Sequence, residues 1–273
     1  MRRNKGAERV KKMKIIVFVK QVPDTEDVKL DPKTGNLQRE GVQSIMNPLD
    51  ANALETALRL KEKYGGTVTA VSMGPPQADE VLKKALAMGC DESALLSDRA
   101  LGGADTLATG YPLAKAAEKL GGYDLLICGR HATDAETAQT GPIIAAFLGI
   151  PQVTLCGEVE IEDGWALCER LLPDRTEKVR VKLPALITVC AEANEPRYPT
   201  PIGIMKALKK PRHVWNAADL GCEPDMIGIP GSPSINKRVF APPKRNTDTK
   251  YYTGSVEEMA KAIVDTLEAE RLI

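Results

Sequence analysis

The sequence predicts a doubly wound α/β fold with a mostly parallel sheet. Up to about residue 150, short aliphatic runs alternate with segments whose apolar residues recur at helical spacing. The aliphatic runs are apolar throughout, as in strands that are buried on both faces of a parallel sheet. A chain of 273 residues with 43% hydrophobic and 27% charged residues is large enough for such a core.

The first half of the chain contains four candidate strands and three candidate helices. The strands are predicted at residues 14–20, 67–73, 93–98 and 123–129. The helices between them are predicted at residues 48–66, 76–89 and 105–122. Pro76 is suited to the start of its helix, and Gly65 and Gly89 are suited to the ends of theirs. Strands that alternate with helices in this way form βαβ units.

The pattern changes after residue 150. Residues 156–172 alternate in polarity around an Asp-Gly turn, which predicts an antiparallel hairpin. Residues 177–190 predict a strand, a proline break and a last buried strand. Periodicity is then lost until an amphipathic helix at 256–272, for which Ser255 is a suitable N-cap. We therefore expect three regions, which are a disordered basic extension (1–12), an α/β domain (13–210) and a C-terminal arm with its helix (211–273).

Composition excludes several classes of function. The 37 basic residues balance 37 acidic ones and only 4% of residues are aromatic, so we expect neither nucleic-acid binding nor a base-stacking surface. No apolar run approaches the roughly 20 residues that span a bilayer, so we expect no direct membrane insertion. Six dispersed cysteines and two histidines predict a reducing, cytoplasmic location and no metal site.

The stretch "CGRHATDAETAQTGP" (128–142) is the strongest candidate site, because it joins a predicted strand to a helix that runs to about Leu148. Ligands of open parallel sheets bind at the carboxyl ends of strands, and a helix N-terminus offers unpaired N–H groups to an anion. Thr and Gln side chains add donors there, and Arg130 adds charge. The alternative is that Thr133 or Asp134 is only an N-cap on a solvated surface.

Catalytic side chains are not indicated. Asp134 and Glu136 are more simply explained as complements to the helix dipole, and His131 has no evident orienting partner. The Gly-rich phosphate signatures and the nucleophile elbow are missing from the sequence. From the residues alone, the chain is an α/β protein that binds a nucleotide and has an arm suited to a partner.

Several stretches in order resemble one family, the β (small) subunit of electron-transfer flavoprotein. They are "VKQVPDT", "NPLDANALETALRLKE", "AVSMGPPQA", "ALAMG", "GRHATDAETAQTGP" and "VKLPALITVCAEANEPRYPTPIGIMKALKK". The resemblance implies an adenine-nucleotide-hydrolase-like three-layer fold and a heterodimer with an α subunit that carries the electron-transferring FAD. It also implies a second nucleotide at the strand ends of this chain, and an arm and terminal helix that pack on the α subunit.

Two branches of that family differ in the second nucleotide. "VKQVPDT", "SMGPPQA" and "LSDRALGGADTLATGYPLA" resemble the electron-bifurcating branch, in which a second FAD accepts hydride from NADH; in the other branch AMP is a structural ligand. The positions implied to contact this cofactor are Phe18, Asn47, Asp50, Met73, Ala104, Asp105, Thr106, Thr109, Gly129, Arg130, Asp134, Thr137, Ala138, Gln139 and Thr140. The loop departs from the expected pattern, notably in Ala135 where glycine is expected, which matters if that residue needs a positive φ.

The segment "NEPRYPTPIGIMKALKK" (194–210) resembles the loop with which the family docks acyl-CoA dehydrogenases or related flavoenzymes. The positions implied to contact that partner are Arg197, Tyr198, Pro201, Ile202 and Ile204. Pro201 occupies the position of a leucine anchor, and Ile204 can instead pack within its own helix. An ATP-using hydrolase of the same fold is a further alternative, but "KQVPDTEDV" after the first strand lacks the Ser/Gly-rich loop of such enzymes.

Overall fold

The computed structural model describes residues 12–24, 43–234 and 249–273, together with the backbone of two short strands at 29–30 and 37–38. These residues belong to two compact units, one up to residue 238 and one from residue 239 onwards. No helix in the described ranges is both long and apolar enough to cross a bilayer.

The predicted strands and helices occur in the predicted order. The strands are β1 (Met13–Phe18), β2 (Gln21–Pro23), β3 (Lys29–Leu30), β4 (Leu37–Gln38), β5 (Ser44–Met46), β6 (Gly66–Met73), β7 (Glu92–Leu96), β8 (Leu125–Gly129), β9 (Gln152–Glu162), β10 (Trp165–Leu171), β11 (Thr176–Lys182), β12 (Ala185–Val189) and β13 (Arg212–Trp215). The helices are α1 (Pro48–Tyr64), α2 (Asp79–Met88), α3 (Thr106–Lys119), α4 (Thr140–Leu148), α5 (Pro201–Ala207) and α6 (Val256–Ala269). The short strands β2 to β5 and the strand β13 are additions to the predicted order.

Nine of these strands form one sheet in the order β11-β10-β9-β12-β8-β1-β6-β7-β13. Seven neighbouring strands of this sheet are parallel, namely β9, β12, β8, β1, β6, β7 and β13. Strands β10 and β11 continue the sheet beyond β9 as antiparallel strands. This confirms the predicted fold class, a mostly parallel α/β sheet with an antiparallel addition.

Two cores cover the two faces of this sheet. Alternate residues of β1 point to opposite faces, so Ile15 and Val17 pack with α1 and α2, while Ile16 and Phe18 pack with α3 and α4. All four side chains are buried. The helices therefore lie on both faces, which gives the three-layer arrangement.

Strand β13 was not predicted from the sequence. Residues 212–215 pair in parallel with β7, beyond residue 210, where the sequence indicates the end of the α/β domain. Their side chains alternate between exposed and half-buried, so this edge strand has no apolar run that could reveal it. The following residues Ala217, Leu220 and Ile227 are buried against the α3 side of the sheet.

The chain order reverses at β1. From β1 the chain proceeds to β6 and β7 on one side, and then crosses to β8 on the other side of β1. Open α/β sheets bind ligands in the crevice at such a switch point, outside the carboxyl ends of the strands. Lys20, two residues after the end of β1, and Gly129, at the end of β8, therefore define where a ligand site is expected.

Candidate nucleotide site at the switch point

Asp50 joins the two strand ends at the switch point. It lies in the first turn of α1 and is buried. One carboxylate oxygen accepts the N–H of Lys20 at 2.8 Å, and the other accepts the N–H of Gly129 at 3.0 Å. Both oxygens thus hold the chain after β1 and the end of β8 to the start of α1. Asp50 therefore fixes the positions of these two strand ends relative to each other.

Gly129 allows this close approach. A Cβ atom at this position would lie 2.5 Å from Oδ1 of Asp50 and 2.7 Å from the backbone carbon of Leu49. Backbone atoms cannot rotate away as a flexible side chain can, so only glycine fits between β8 and the start of α1.

Asn47 holds the loop that follows β8. Its side chain is completely buried, donates to the carbonyl of His131 at 2.9 Å, and accepts the N–H of Thr133 at 3.2 Å. Its backbone N–H donates to the carbonyl of Lys20 at 2.9 Å. The residue just before α1 therefore fixes both the end of β1 and the path of the loop at 130–134.

Helix α4 begins only at Thr140, so Thr133 and Asp134 do not cap it. Its N-cap, Gln139, makes no side-chain capping hydrogen bond, and its first turn contains no acidic residue. Within the described ranges, the first N–H groups of α4 thus keep the capacity to bind an anion. The hypothesis that Thr133 or Asp134 is the N-cap of this helix is therefore wrong.

The loop before α4 contains two residues with left-handed backbone. Glu136 has φ 52° and Ala138 has φ 55°, whereas Ala135 does not have a positive φ. The expected conflict at Ala135 therefore does not arise. Strain of this kind in non-glycine residues costs roughly 1–3 kcal/mol each and is concentrated at functional sites.

Lys20 is a site residue that the sequence did not single out. Its Nζ lies 2.7 Å and 2.8 Å from the two carboxylate oxygens of Asp134. The ion pair ties the end of β1 to the loop after β8 across the switch point. In the sequence it was the last residue of the strand predicted at 14–20, with no signal of an ion pair.

At the start of α3, Asp105 is the N-cap and accepts the N–H groups of Leu107 at 2.9 Å and Ala108 at 3.0 Å. Its other oxygen accepts the N–H and the hydroxyl of Ser234, at 3.1 Å and 2.8 Å. Burial raises the pKa of this carboxyl, but these hydrogen bonds outweigh burial and leave the pKa lowered. Asp105 is therefore charged and already bonded to protein donors.

The loops before α3 and α4 meet at one contact. The hydroxyl of Thr106 donates to the side-chain carbonyl of Gln139 at 3.4 Å. The N-termini of α3 and α4, both predicted to contact the cofactor, are thus neighbours and form one continuous edge.

The other predicted cofactor positions surround this edge at different depths. Phe18 is buried in the core, while Met73, Ala104, Thr109 and Thr140 are half-buried. Arg130, Thr137, Ala138 and Gln139 are exposed. Contact of any of these residues with a cofactor stays a prediction.

The predicted docking segment is anchored to α1 by polar side chains. Arg197 bonds through its guanidinium to Glu55, with Nε 2.7 Å from Oε2, and to Glu62. The side chain of Asn52 donates to the carbonyl of Asn194 at 2.7 Å. The guanidinium of Arg197 is thus engaged within the chain, and its predicted contact with a partner stays a prediction.

Helix α5, which follows in this segment, presents apolar side chains to the surface. Tyr198, Ile202, Ile204 and Met205 are exposed, as is Pro201. On its other side the helix lies against α2, where a Cβ at Gly203 would be 2.3 Å from the carbonyl oxygen of Ala87. The packing therefore leaves the apolar face outward.

A cleft of about 450 Å³ lies apart from the switch point, between α1 and the β9–β10 hairpin. Its lining includes four glutamates, Glu158, Glu160, Glu169 and Glu192, against two basic residues, Arg59 and Lys63. Carboxylates repel a phosphate, so this cleft is a poorer nucleotide site than the start of α4.

Burial makes Asp50 a source of pH dependence. It raises the pKa of this carboxyl to about 7, although the N–H groups of Lys20 and Gly129 and the side chain of Asn47 act to lower it. An unfolded aspartate titrates near 3.9, so between these values the folded chain binds the extra proton. The free energy of unfolding therefore falls as pH rises from about 4 to about 7.

We expect the contribution of Asp50 between pH 5 and 7 to be roughly 2–3 kcal/mol. Asp50→Asn removes the titration and should flatten the dependence of stability on pH. Chemical unfolding of both proteins, measured across this range, checks the difference between their slopes. Equal slopes would show that the carboxyl has an ordinary pKa.

Known proteins are similar to this chain over most of its length. The electron transfer flavoprotein domain matches residues 34–220. The chain is 47% identical over 262 residues to the caffeyl-CoA reductase-Etf complex subunit CarD of Acetobacterium woodii, with 96% of this chain and 100% of the relative covered. It is 48% identical over 264 residues to the electron transfer flavoprotein subunit beta of Thermoanaerobacterium thermosaccharolyticum, with the same coverage of 96% and 100%.

A third relative, the acryloyl-CoA reductase electron transfer subunit gamma of Anaerotignum propionicum, is 40% identical over 268 residues, covering 96% of this chain and 100% of the relative. These matches extend over the site loops, α1 and the docking segment alike. The chain belongs to the electron transfer flavoprotein beta-subunit family.

Proposed function

We propose that this chain is the β subunit of an electron-bifurcating electron transfer flavoprotein, and that a second FAD binds at its switch point and receives hydride from NADH. The contact between Thr106 and Gln139 carries this proposal. It joins the start of α3 to the start of α4, so a ligand whose phosphate lies at α4 can extend to the loop at 104–106. AMP, the ligand in the alternative, is much shorter than FAD and needs only the α4 end.

The residues at this edge fit a dinucleotide. The uncapped N–H groups of α4 suit the diphosphate, together with Arg130 and the hydroxyls of Thr137 and Thr140. Ala104, Thr106 and Thr109 are the positions for the flavin end. FAD bound here would supply hydride acceptance and one-electron transfer, while the chain holds and orients it and limits access of solvent.

Two exposed apolar surfaces, on α6 and on α5, support proposals about the partners of this chain. We propose that α6 packs on the α subunit, since it exposes Val256, Ile263 and Val264 along its length. The proposed arm is shorter than the predicted one at 211–273, because β13 pairs with β7 and belongs to the sheet. We also propose that the apolar face of α5 docks an acyl-CoA dehydrogenase or a related flavoenzyme. The names of two relatives support this partner class, because both refer to reductases of CoA thioesters.

Flavin content of the heterodimer tests the proposed function. We expect two FAD per heterodimer after denaturation and chromatography, and bleaching of flavin absorbance by NADH. One FAD with AMP released beside it would instead establish the structural-nucleotide alternative. Thr106→Ala should lower the second FAD alone, whereas Thr176→Ala, at an exposed position that starts the edge strand β11, should leave both.

A further inference from the structure

The carboxylate of Asp105 accepts hydrogen bonds from donors of this chain at both of its oxygens. Oδ1 accepts two N–H groups from the first turn of α3, and Oδ2 accepts the N–H and the hydroxyl of Ser234. A carboxylate has about four acceptor positions, so these four bonds use its capacity. A negative charge fixed here also gives no attraction to the phosphates of a nucleotide.

A second serine completes the connection. The backbone N–H of Asp105 donates to the hydroxyl of Ser232 at 2.8 Å, and that hydroxyl donates to the carbonyl of Gly228 at 2.6 Å. Ser232 and Ser234 thus hold Asp105 from its backbone and from its side chain. Neither serine belongs to any of the stretches that carry the family resemblance.

The two segments also pack closely. A Cβ at Gly103 would lie 2.7 Å from Cγ1 of Ile229, and one at Gly228 would lie 2.1 Å from the carbonyl oxygen of Ala100. Gly103 and Gly228 have φ of 73° and 56°, which favour glycine. Residues 228–234 are therefore fitted directly against the loop that precedes α3.

We propose that Asp105 is a positioning residue and that Ser232 and Ser234 set the shape of the loop at 104–106 on which the flavin end of the second FAD rests. This inference depends on the proposed function, since it concerns how that cofactor is held. In this proposal Asp105 does not contact the flavin. It supports the loop at 104–106 from the side opposite to the cofactor. The side chains of Ala104, Thr106 and Thr109 are left to face the cofactor.

The test compares three variants of the whole heterodimer, which are Asp105→Asn, Ser232→Ala/Ser234→Ala, and the two combined. The readouts are the dissociation constant of FAD at the second site, by titration of the flavin-depleted complex, and the flavin absorbance that NADH bleaches. We expect each variant to weaken FAD about tenfold, and the combination to add little, because both break the same unit. The FAD of the α subunit serves as an internal control for folding.

Ser234→Thr keeps the hydroxyl and should bind FAD with near wild-type affinity. Weak binding in the double-serine variant would then be due to the lost hydroxyls and not to a general loss of folding. Wild-type affinity in the double-serine variant would overturn the inference, and it would do so even if the Asp105 variants failed to assemble. Additive losses would assign Asp105 its own contact with the cofactor. AMP in place of FAD in the wild-type complex would overturn the proposed function, and the inference about the flavin end would then fail with it, whatever the variants show.

Discussion

Gly129→Ala is expected to destabilise the chain by about 3 kcal/mol and to abolish nucleotide binding at the switch point. The new methyl group would lie within 2.8 Å of the backbone of Leu49 and Asp50 and of a carboxylate oxygen of Asp50. The start of α1 must then move away from β8. That movement breaks the bond between Asp50 and the N–H of Gly129 and displaces Asn47, which holds the loop before α4.

Gly157→Ala is the matched control, because it also adds one methyl group to a glycine in a strand. There the nearest atoms belong to the flexible side chain of Leu171, at 3.0–3.4 Å, and can shift. Unfolding in denaturant gives the stability of each variant, and nucleotide released on denaturation gives the occupancy. If Gly129→Ala kept its nucleotide while Gly157→Ala did not, the switch point would not be the site.

Arg197→Met is expected to cost about 3 kcal/mol of stability and to slow electron transfer to the docked partner. Glu55 is only 3% exposed. Burial raises the pKa of its carboxyl, but hydrogen bonds from Arg197 and Arg59 outweigh this and lower it. Removing Arg197 leaves Glu55 with Arg59 alone and removes the guanidinium contacts between the segment and α1, while the bonds between Asn52 and Asn194 remain.

Arg197→Lys should give an intermediate result, because an ammonium keeps the charge and loses the two-pronged geometry. Arg175→Met is the control: its pairs with Asp174 and Glu177 are exposed, and such pairs contribute between zero and about 1 kcal/mol. Stability is measured by denaturant unfolding, and docking by the dependence of the transfer rate on partner concentration. Unchanged stability in Arg197→Met would show that the segment is anchored by its other contacts.

The regular part of this fold was predictable because its signals are local. Strands β1, β6, β7 and β8 are apolar runs, and α1 to α3 end or begin at residues with known preferences for helix ends. Strand β13 was missed since its pairing with β7 depends on residues far away in sequence. The same holds for Lys20, whose importance rests on an ion pair with Asp134, 114 positions later.

The site was predicted at the level of its loops and not at the level of individual roles. The sequence indicates which segments meet at a switch point, because chain order alone requires it. Whether a carboxylate faces a ligand or the protein depends on donors brought together by the fold. Asp50 accepts the N–H groups of Lys20 and Gly129, and Asp105 accepts the N–H of Ser234, all of them donors far away in the sequence.

Helix α1 connects the candidate nucleotide site with the predicted docking segment. At its start Asp50 bonds to the strand ends at the candidate site, and Glu55 and Glu62, 5 and 12 residues later, bond to Arg197 of the predicted docking segment. A helix rises about 1.5 Å and turns about 100° per residue, so Glu55 and Glu62 lie about 7.5 and 18 Å further along its axis than Asp50. One residue inserted between Asp50 and Glu55 would rotate the predicted docking segment by more than a quarter of a turn relative to the candidate nucleotide site. The length of this helix thus fixes the distance and the direction between the candidate nucleotide site and the predicted docking segment.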